Sequence, residues 1–140
     1  MECIAYKGGY KYQLDEEYSI PTDITPEEDI NIDFIHLETD GQITLTKGYA
    51  WDGATMAPDR PSIMRGSMVH DAFYQLMRLG KLKQDVFRKP SDQLLKDMCE
   101  EDGMHSAVAW AVYFSVRAFG GSAASRENVN PVVKAPAACQ

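Results

Sequence analysis

The spacing of apolar residues changes along the chain from a strand period to a helix period. In the first half, Ile30, Ile32 and Phe34 alternate with polar residues, the pattern of a half-buried β-strand. In the second half, apolar residues recur every three or four positions, the pattern of a helix with one buried face. This change predicts the α+β fold class, with a small N-terminal antiparallel β-sheet packed by C-terminal helices.

A hairpin is predicted where two apolar runs flank Thr39-Asp40-Gly41. A three-residue loop there sets apolar residues opposite each other, Leu37 with Ile43 and Ile35 with Leu45. A two-residue loop at Asp40-Gly41 would instead place Glu38 opposite Ile43, a poorer match. We therefore expect the longer loop, with Gly41 in the left-handed conformation that costs glycine little. Another strand is expected at 10–14.

Three helices are expected in the second half, at about 63–79, 91–102 and 104–119. Glycines follow each of them, as is common at helix ends. Pro90-Ser91 is interpreted as the start of the second helix. We expect residues 1–121 to form a single α+β domain. The composition of 122–140 predicts a C-terminal tail that is flexible unless a partner holds it.

The chain is acidic, with a formal net charge of -7 over 140 residues. Between Tyr12 and Thr46 there are ten Asp and Glu residues and no Lys or Arg. Such a surface repels phosphate backbones, so nucleic acid is not expected as a partner. It would suit a cation or a basic protein patch, or it is simply a solvated surface.

Cysteine spacing and hydropathy exclude several classes of protein. Cys3, Cys99 and Cys139 form no CxxC pair, which argues against a zinc knuckle or a disulfide framework and favours a reducing compartment. Cys99 is expected to be a small buried hydrophobe. The N-terminus lacks the basic and apolar regions of a secretion signal, and no run approaches the ~18 apolar residues of a transmembrane segment.

The residues most suggestive of chemistry are His70, Asp71 and Tyr74 on the first predicted helix. Positions four apart share a helix face, so His70 and Tyr74 lie together, while Asp71 projects about 100° away. Asp92 is expected in the first turn of the next helix. If the two helices pack antiparallel, Asp92 reaches the far ring nitrogen of His70 and fixes its tautomer.

The pattern His-Asp-x-x-Tyr, followed by a helix with an early Asp, resembles phospholipases of the A-two type, and their bacterial branch most. The resemblance implies that His70 is the general base, Asp71 a calcium ligand and Asp92 the residue that orients His70. Tyr74 would support them with a hydrogen bond. The family's glycine-rich calcium loop corresponds here to 51–54, which has one glycine, Gly53, and an extra carboxylate, Asp52, as a second candidate ligand. The family's paired cysteines are missing.

A second resemblance spans residues 1–121. It rests on four motifs in order: 47–55, 69–74, Ser91-Asp92 and 113–120. These resemble a phage and prophage family of unknown function, domain of unknown function thirteen fifty-three. The resemblance implies a phage-encoded protein in the host cytoplasm or the virion, without an established activity.

Each candidate residue also has a structural interpretation. His70 would be a buried histidine that bonds Asp92 and ties two helices together. Asp52 would form a turn beside Gly53, and Trp51, a candidate pocket residue with Gly53, would pack in the core. An Asp in a helix's first turn is also explained by the helix dipole. His36 and His105 have no partner at ligand spacing and are assigned to structure or surface.

Two functional hypotheses follow. The first is a calcium-type, metal-assisted hydrolase of an ester, with His70 as base and pocket residues Trp51 and Gly53. The second is a non-enzymatic phage virion or tail component, or a host-interaction protein, in which His70 and Asp92 form a structural clasp and the tail at 122–140 contacts other phage structural proteins. A His70 ring nitrogen within about 3.2 Å of Asp92, with the other nitrogen facing a cleft, would favour catalysis. A ring with both nitrogens sealed in the core would favour the clasp.

Overall fold

A computed structural model describes residues 4–6, 12–52, 60–125 and 133–135, with the backbone alone for the first and last of these ranges. The strands are β1 (Ile4–Tyr6), β2 (Tyr12–Gln13), β3 (Tyr18–Pro21), β4 (Ile30–Ile32), β5 (Ile35–Leu37), β6 (Gln42–Leu45), β7 (Ala50–Trp51) and β8 (Val133–Ala135). The helices are α1 (Pro61–Arg78), α2 (Gln84–Glu101) and α3 (Ser106–Phe119). This order confirms the α+β fold class, with antiparallel strands followed by three helices.

The largest sheet has four antiparallel strands in the order β3-β6-β5-β4. The hairpin between β5 and β6 has the predicted register, with Leu37 opposite Ile43 and Ile35 opposite Leu45. Gly41 adopts the expected left-handed conformation, with φ at 92°. The alternation of apolar residues and the turn chemistry were therefore sufficient to fix this pairing.

The strand-like run at 30–37 is divided into two strands. A two-residue turn at Asp33-Phe34 separates β4 from β5, and Ile32 pairs with Ile35 across it. Phe34 has a φ of 70°, uncommon for a residue with a side chain, and is half exposed. Its ring lies over Gly48, where a Cβ atom would be 2.9 Å from the ring. The turn therefore occurs together with a contact between residues that are distant in sequence. The alternation of apolar residues does not predict such a turn.

The core lies between the four-stranded sheet and α1. The four inward-facing residues of the β5–β6 hairpin have no exposed surface, and neither do Val69, Phe73 and Leu76 of α1. All of them belong to one cluster of buried apolar side chains. Burial on this scale fixes which face of α1 meets the sheet, and so also which face is turned toward α2.

Helices α1 and α2 are antiparallel, as residue pairs along their length show. Arg65 near the start of α1 binds Glu101 and Asp102 at the end of α2, at 2.8 and 2.9 Å. Five residues farther along α1, His70 meets Asp92. The His70–Asp92 contact was expected only if these two helices pack antiparallel, and they do.

Helix α2 begins at Gln84 and not near Ser91, so Pro90 lies inside it. The expectation that Asp92 occupies the first turn is wrong, since Asp92 is in the middle of the helix, and the helix dipole does not explain it. An internal proline removes one backbone hydrogen bond and costs about 3 kcal/mol in an isolated helix. Here the next two residues, Ser91 and Asp92, are completely buried, and tertiary contacts at this point offset that cost.

The pairing of β2 with β7 brings the end of β7 close to α1. Tyr12 lies opposite Trp51, and the Leu14 N–H donates to the Tyr49 carbonyl at 2.7 Å. This pairing positions Asp52, the residue after β7. None of the helices in the described ranges is both long and apolar enough to cross a bilayer.

The chain on both sides of the predicted boundary at 121/122 contacts the helices. The Arg78 side chain donates to the Ala123 carbonyl at 2.9 Å, Gln84 donates to the Gly121 carbonyl at 2.8 Å, and Ala124 is completely buried. Farther on, the backbone of β8 pairs with β1. The other residues of 126–140 lie outside the described part of the chain.

We predict that Gly41→Ala destabilises the fold by about 3 kcal/mol, and more than Gly103→Ala, which costs about 1 kcal/mol. Both glycines have positive φ, at 92° and 100°. A Cβ atom at Gly41 would collide with the Thr22 carbonyl, whereas at Gly103 it would meet nothing within 4 Å. Urea denaturation measures both values, and equal losses would show that the contact with Thr22 contributes nothing.

Candidate functional site

A buried carboxylate, Asp92, is the centre of the candidate site. Its Oδ1 atom accepts hydrogen bonds from His70 Nε2 and from the Tyr74 hydroxyl, each at 2.6 Å. Its Oδ2 atom accepts from Arg117 Nη1 at 2.9 Å. Asp92 has no exposed surface, and His70 is only 7% exposed. Side chains from all three helices therefore meet at one carboxylate.

His70 and Tyr74 reach Asp92 from the same face of α1. They are four residues apart, so their side chains lie one above the other, with ring centroids 4.1 Å apart. That face is turned toward α2, because the neighbouring face of α1 is buried against the sheet. The geometry predicted for His70, Tyr74 and Asp92 from helical spacing is thus present.

Arg88 connects this group to the C-terminal end of α3. Its Nε atom donates to the Tyr74 hydroxyl at 3.2 Å, and its Nη2 atom donates to the carbonyls of Val116 and Arg117 at 2.6 and 2.8 Å. The last carbonyls of a helix have no partner within the helix and carry partial negative charge. Arg88 therefore stabilises the end of α3 and holds Arg117 close to Asp92.

Asp92 is ionised at neutral pH. Burial raises its pKa, but hydrogen bonds from His70, Tyr74 and Arg117 outweigh burial and hold the pKa below its usual value. Burial and the adjacent Asp92 raise the pKa of Tyr74, which stays a neutral donor. Because a carboxylate only accepts hydrogen bonds, Nε2 of a neutral His70 must carry the proton. The lone pair of the ring is then on Nδ1, which has no hydrogen-bond partner among the described residues.

Asp71, which follows His70 on α1, forms a second acidic group with Asp52. The backbone N–H of Asp52 donates to the Asp71 carboxylate. Burial, opposed by the charge of Arg78 and assisted by that of Asp52, raises the pKa of Asp71 to about 7. Burial also raises the pKa of Asp52, against the charge of Arg78. The two candidate ligands that the sequence placed on separate elements are therefore neighbours.

These two carboxylates are fewer than the six to eight oxygen ligands that calcium takes. No group of three or more His, Cys, Asp or Glu side chains suited to a metal ion occurs in the described ranges. Asp71 and Asp52 have the right chemistry for a hard cation, since both supply oxygen, but they are an incomplete calcium site without further ligands. Gly53 lies outside the described residues.

Trp51 belongs to the core. Its ring packs against Tyr49 and Tyr12, with centroids 6.3 and 5.6 Å away, and it is 7% exposed. Its indole N–H is buried and donates to none of the described residues. Trp51 therefore packs in the core, as its structural interpretation predicts. Cys99 is buried as expected, and burial raises the pKa of its thiol to about 11.

Sequence reasoning did not assign a role to Arg88 or Arg117. A signal for each was present. Arg117 is the one charged residue in the apolar segment of α3, and a charge in such a segment needs a partner. Arg88 is four residues before Asp92, a spacing that matters only if the helix begins before Arg88. Because α2 was expected to begin near Ser91, after Arg88, the approach of Arg88 to Asp92 was not predicted.

The chain matches no family model, no curated protein and no solved structure. The resemblances to phospholipases of the A-two type and to the phage family therefore stay predictions from the motifs.

We predict that Asp92→Asn lowers the free energy of unfolding by about 3–5 kcal/mol at pH 7. An amide would turn an N–H group toward its donors and would leave Arg117 without its counter-charge. Asp85→Asn, in the exposed first turn of α2, is the control and should change stability by less than about 0.5 kcal/mol.

The difference between wild type and Asp92→Asn should depend on pH. Since the folded protein holds the pKa of Asp92 below its unfolded value of about 3.9, the stabilisation is present above about pH 4 and is lost as the pH falls below it. Urea denaturation from pH 7 to pH 2.5 measures this. A difference that stays constant over that range would contradict ionic stabilisation.

Proposed function

We propose that the protein hydrolyses an ester, with His70 as the general base. The observation that carries this proposal is the 2.6 Å hydrogen bond from His70 Nε2 to the buried, ionised Asp92. It fixes the tautomer that leaves Nδ1 able to accept a proton. A base held in one tautomer by a carboxylate behind it is a recurrent arrangement in hydrolytic sites.

In the proposed reaction, Nδ1 of His70 accepts a proton from water as the water oxygen attacks the ester carbonyl carbon. The tetrahedral intermediate then collapses, and the bond from carbon to the alkoxy oxygen breaks. The proton on Nδ1 passes to the departing alkoxide. The products are a carboxylic acid and an alcohol, and His70 is again neutral. Asp92, Tyr74 and Arg117 position His70 and do not touch the substrate.

Asp71, with Asp52, would hold a hard cation such as calcium beside this base. When bound, calcium would polarise the ester carbonyl and stabilise the negative charge that develops on its oxygen. The proposal extends the resemblance to phospholipases of the A-two type, and a lipid ester is the substrate class that this resemblance favours. The second resemblance adds the proposal that the protein is phage-encoded and acts in the host cytoplasm or the virion.

A second candidate function is favoured by a different observation. Arg117, Tyr74 and His70 leave Asp92 with no exposed surface, and Arg88 binds the end of α3. Such a network would also serve as a clasp that joins three helices in a non-enzymatic virion, tail or host-interaction protein. Buried polar networks of this kind can specify one packing arrangement, whatever their net contribution to stability.

We expect His70→Gln to distinguish the two functions. Glutamine keeps an N–H donor for Asp92 but has no group that accepts a proton at neutral pH. If His70 is the base, hydrolysis of p-nitrophenyl butyrate or of phosphatidylglycerol vesicles should fall at least about 100-fold while the melting temperature changes little. His105→Asn is the control, since His105 caps α3 and Asn also caps helices well. Unchanged hydrolysis in His70→Gln, or none in wild type, would leave only the clasp.

Calcium binding is expected to raise the melting temperature. A site with a Kd near 1 mM would gain about 1 kcal/mol at 5 mM calcium, a rise of roughly 3–5 °C. Asp71→Asn should abolish the rise and Asp85→Asn should keep it. A melting temperature that does not respond to calcium in wild type would remove the cation from the proposal, and a rise that persists in Asp71→Asn would place the cation elsewhere.

A further inference from the structure

The outer face of α3 is apolar along its whole length. Of its fourteen residues, only Ala109, Val112 and Tyr113 are buried. The exposed aromatic residues are Trp110 at 45%, Phe114 at 61% and Phe119 at 68%. The exposed stripe consists of Ala107, Trp110, Ala111, Phe114 and Ala118. These positions follow the i, i+3, i+4, i+7 spacing of a helix face that packs against another helix.

This stripe lacks any charged residue. The single charged side chain of α3, Arg117, lies beside the stripe, is 31% exposed and is bonded to Asp92 at 2.9 Å. Charged groups lie at the edge instead, where Lys96 is 4.4 Å from the Trp110 ring centroid and binds Glu100 at 2.8 Å. An apolar centre with a charged rim is the usual composition of a protein–protein interface. A helix that is apolar on all sides is normally buried.

The size of the patch is comparable with what an interface between two copies requires. Three half-exposed aromatic side chains, with Val108 and the alanines, present on the order of 500 Å² of apolar surface. A stable interface buries about 800 Å² on each partner. The stripe, with Val108 and Phe119 beside it, therefore supplies more than half of that area, and the rim residues would supply the rest.

The charges around the stripe disfavour a membrane as its occupant. Helices that lie on bilayers carry Lys and Arg on their polar face, which attract anionic lipids. Here the residues that precede α3 are acidic, with Glu100, Glu101 and Asp102 at the end of α2, and the chain has a net charge of -7. The one basic side chain of α3, Arg117, is partly exposed, but its charge is paired with that of Asp92.

We propose that this face binds the α3 face of a second copy of the chain, as an antiparallel helix pair about a two-fold axis. With the axis near residues 112 and 113, Phe114 of one copy lies opposite Ala111 of the other, and Ala107 lies opposite Ala118. A large residue then faces a small one at the centre, and small residues let the helices approach on either side. A closed two-fold interface needs one self-complementary surface, and this stripe is one.

Pairing of two copies through α3 does not depend on the proposed function. It would involve the helix that supplies Arg117 to the candidate site. α3 is attached to its own chain by three buried side chains, by Arg117 on Asp92 and by Arg88 on its last carbonyls. Covering the outer face would bury α3 on both sides. The second copy would thus stabilise the helix that supplies Arg117.

Sedimentation velocity on the full chain from about 5 to 200 μM tests the pairing, as a dimer should form and dissociate with dilution over a range of this order. Phe114→Glu and Ala111→Glu each place a charge at the centre of the stripe and should give monomers at every concentration. Val86→Glu is the matched control, because Val86 is 52% exposed but lies on α2 beside β4. Far-UV circular dichroism would verify that each variant is folded.

A monomeric wild type at 200 μM would overturn the proposal, and so would a dimer that persists in both folded stripe variants. If the wild type is monomeric and cosediments with phosphatidylcholine vesicles while Phe114→Glu does not, the face binds lipid and the proposal fails. These outcomes do not depend on ester hydrolysis. The dimer and the catalytic proposal can therefore fail separately.

Discussion

The arrangement of the three helices depends on the burial of one charge. A carboxylate removed from water loses several kcal/mol of solvation unless hydrogen bonds and opposite charge replace it. Asp92 is completely buried, and His70, Tyr74 and Arg117 supply that replacement. Each donor comes from α1 or α3, so the hydrogen bonds to the carboxylate on α2 are complete only when all three helices are in place. This requirement makes the packing specific in a way that apolar contacts alone would not.

The same requirement accounts for features that look unfavourable separately. Pro90 weakens α2 locally, yet Arg88 and Asp92 on either side of it are both held by other helices. α3 buries few side chains of its own, and polar contacts at its C-terminal end supplement them. Local propensity is thus overridden where tertiary contacts are concentrated, which is where sequence patterns are expected to fail.

The sequence predicted those parts of the structure that follow from short-range rules. The register of the β5–β6 hairpin follows from two-residue alternation and from Gly41, and the shared face of His70 and Tyr74 follows from helical spacing. The start of α2 and the turn at Phe34 were not predicted, because contacts between residues distant in sequence accompany both. Arg88 and Arg117 depend on the same contacts. The Asp71–Asp52 pair was suggested only by resemblance, and the pairing of β2 with β7 brings it together.

The presence of Arg117 changes what the carboxylate would contribute to catalysis. In a dyad of His and Asp alone, the negative charge stabilises the imidazolium that forms when the base takes a proton. Here Arg117 shares the carboxylate at 2.9 Å, and Arg88 lies 4.0 Å from it, so the net charge behind His70 is small or positive. Orientation of the ring, rather than charge stabilisation, is then the main contribution of Asp92 to the proposed reaction. Electrostatic stabilisation in such a site would instead act on the oxyanion, and this is the chemical role proposed for a cation at Asp71.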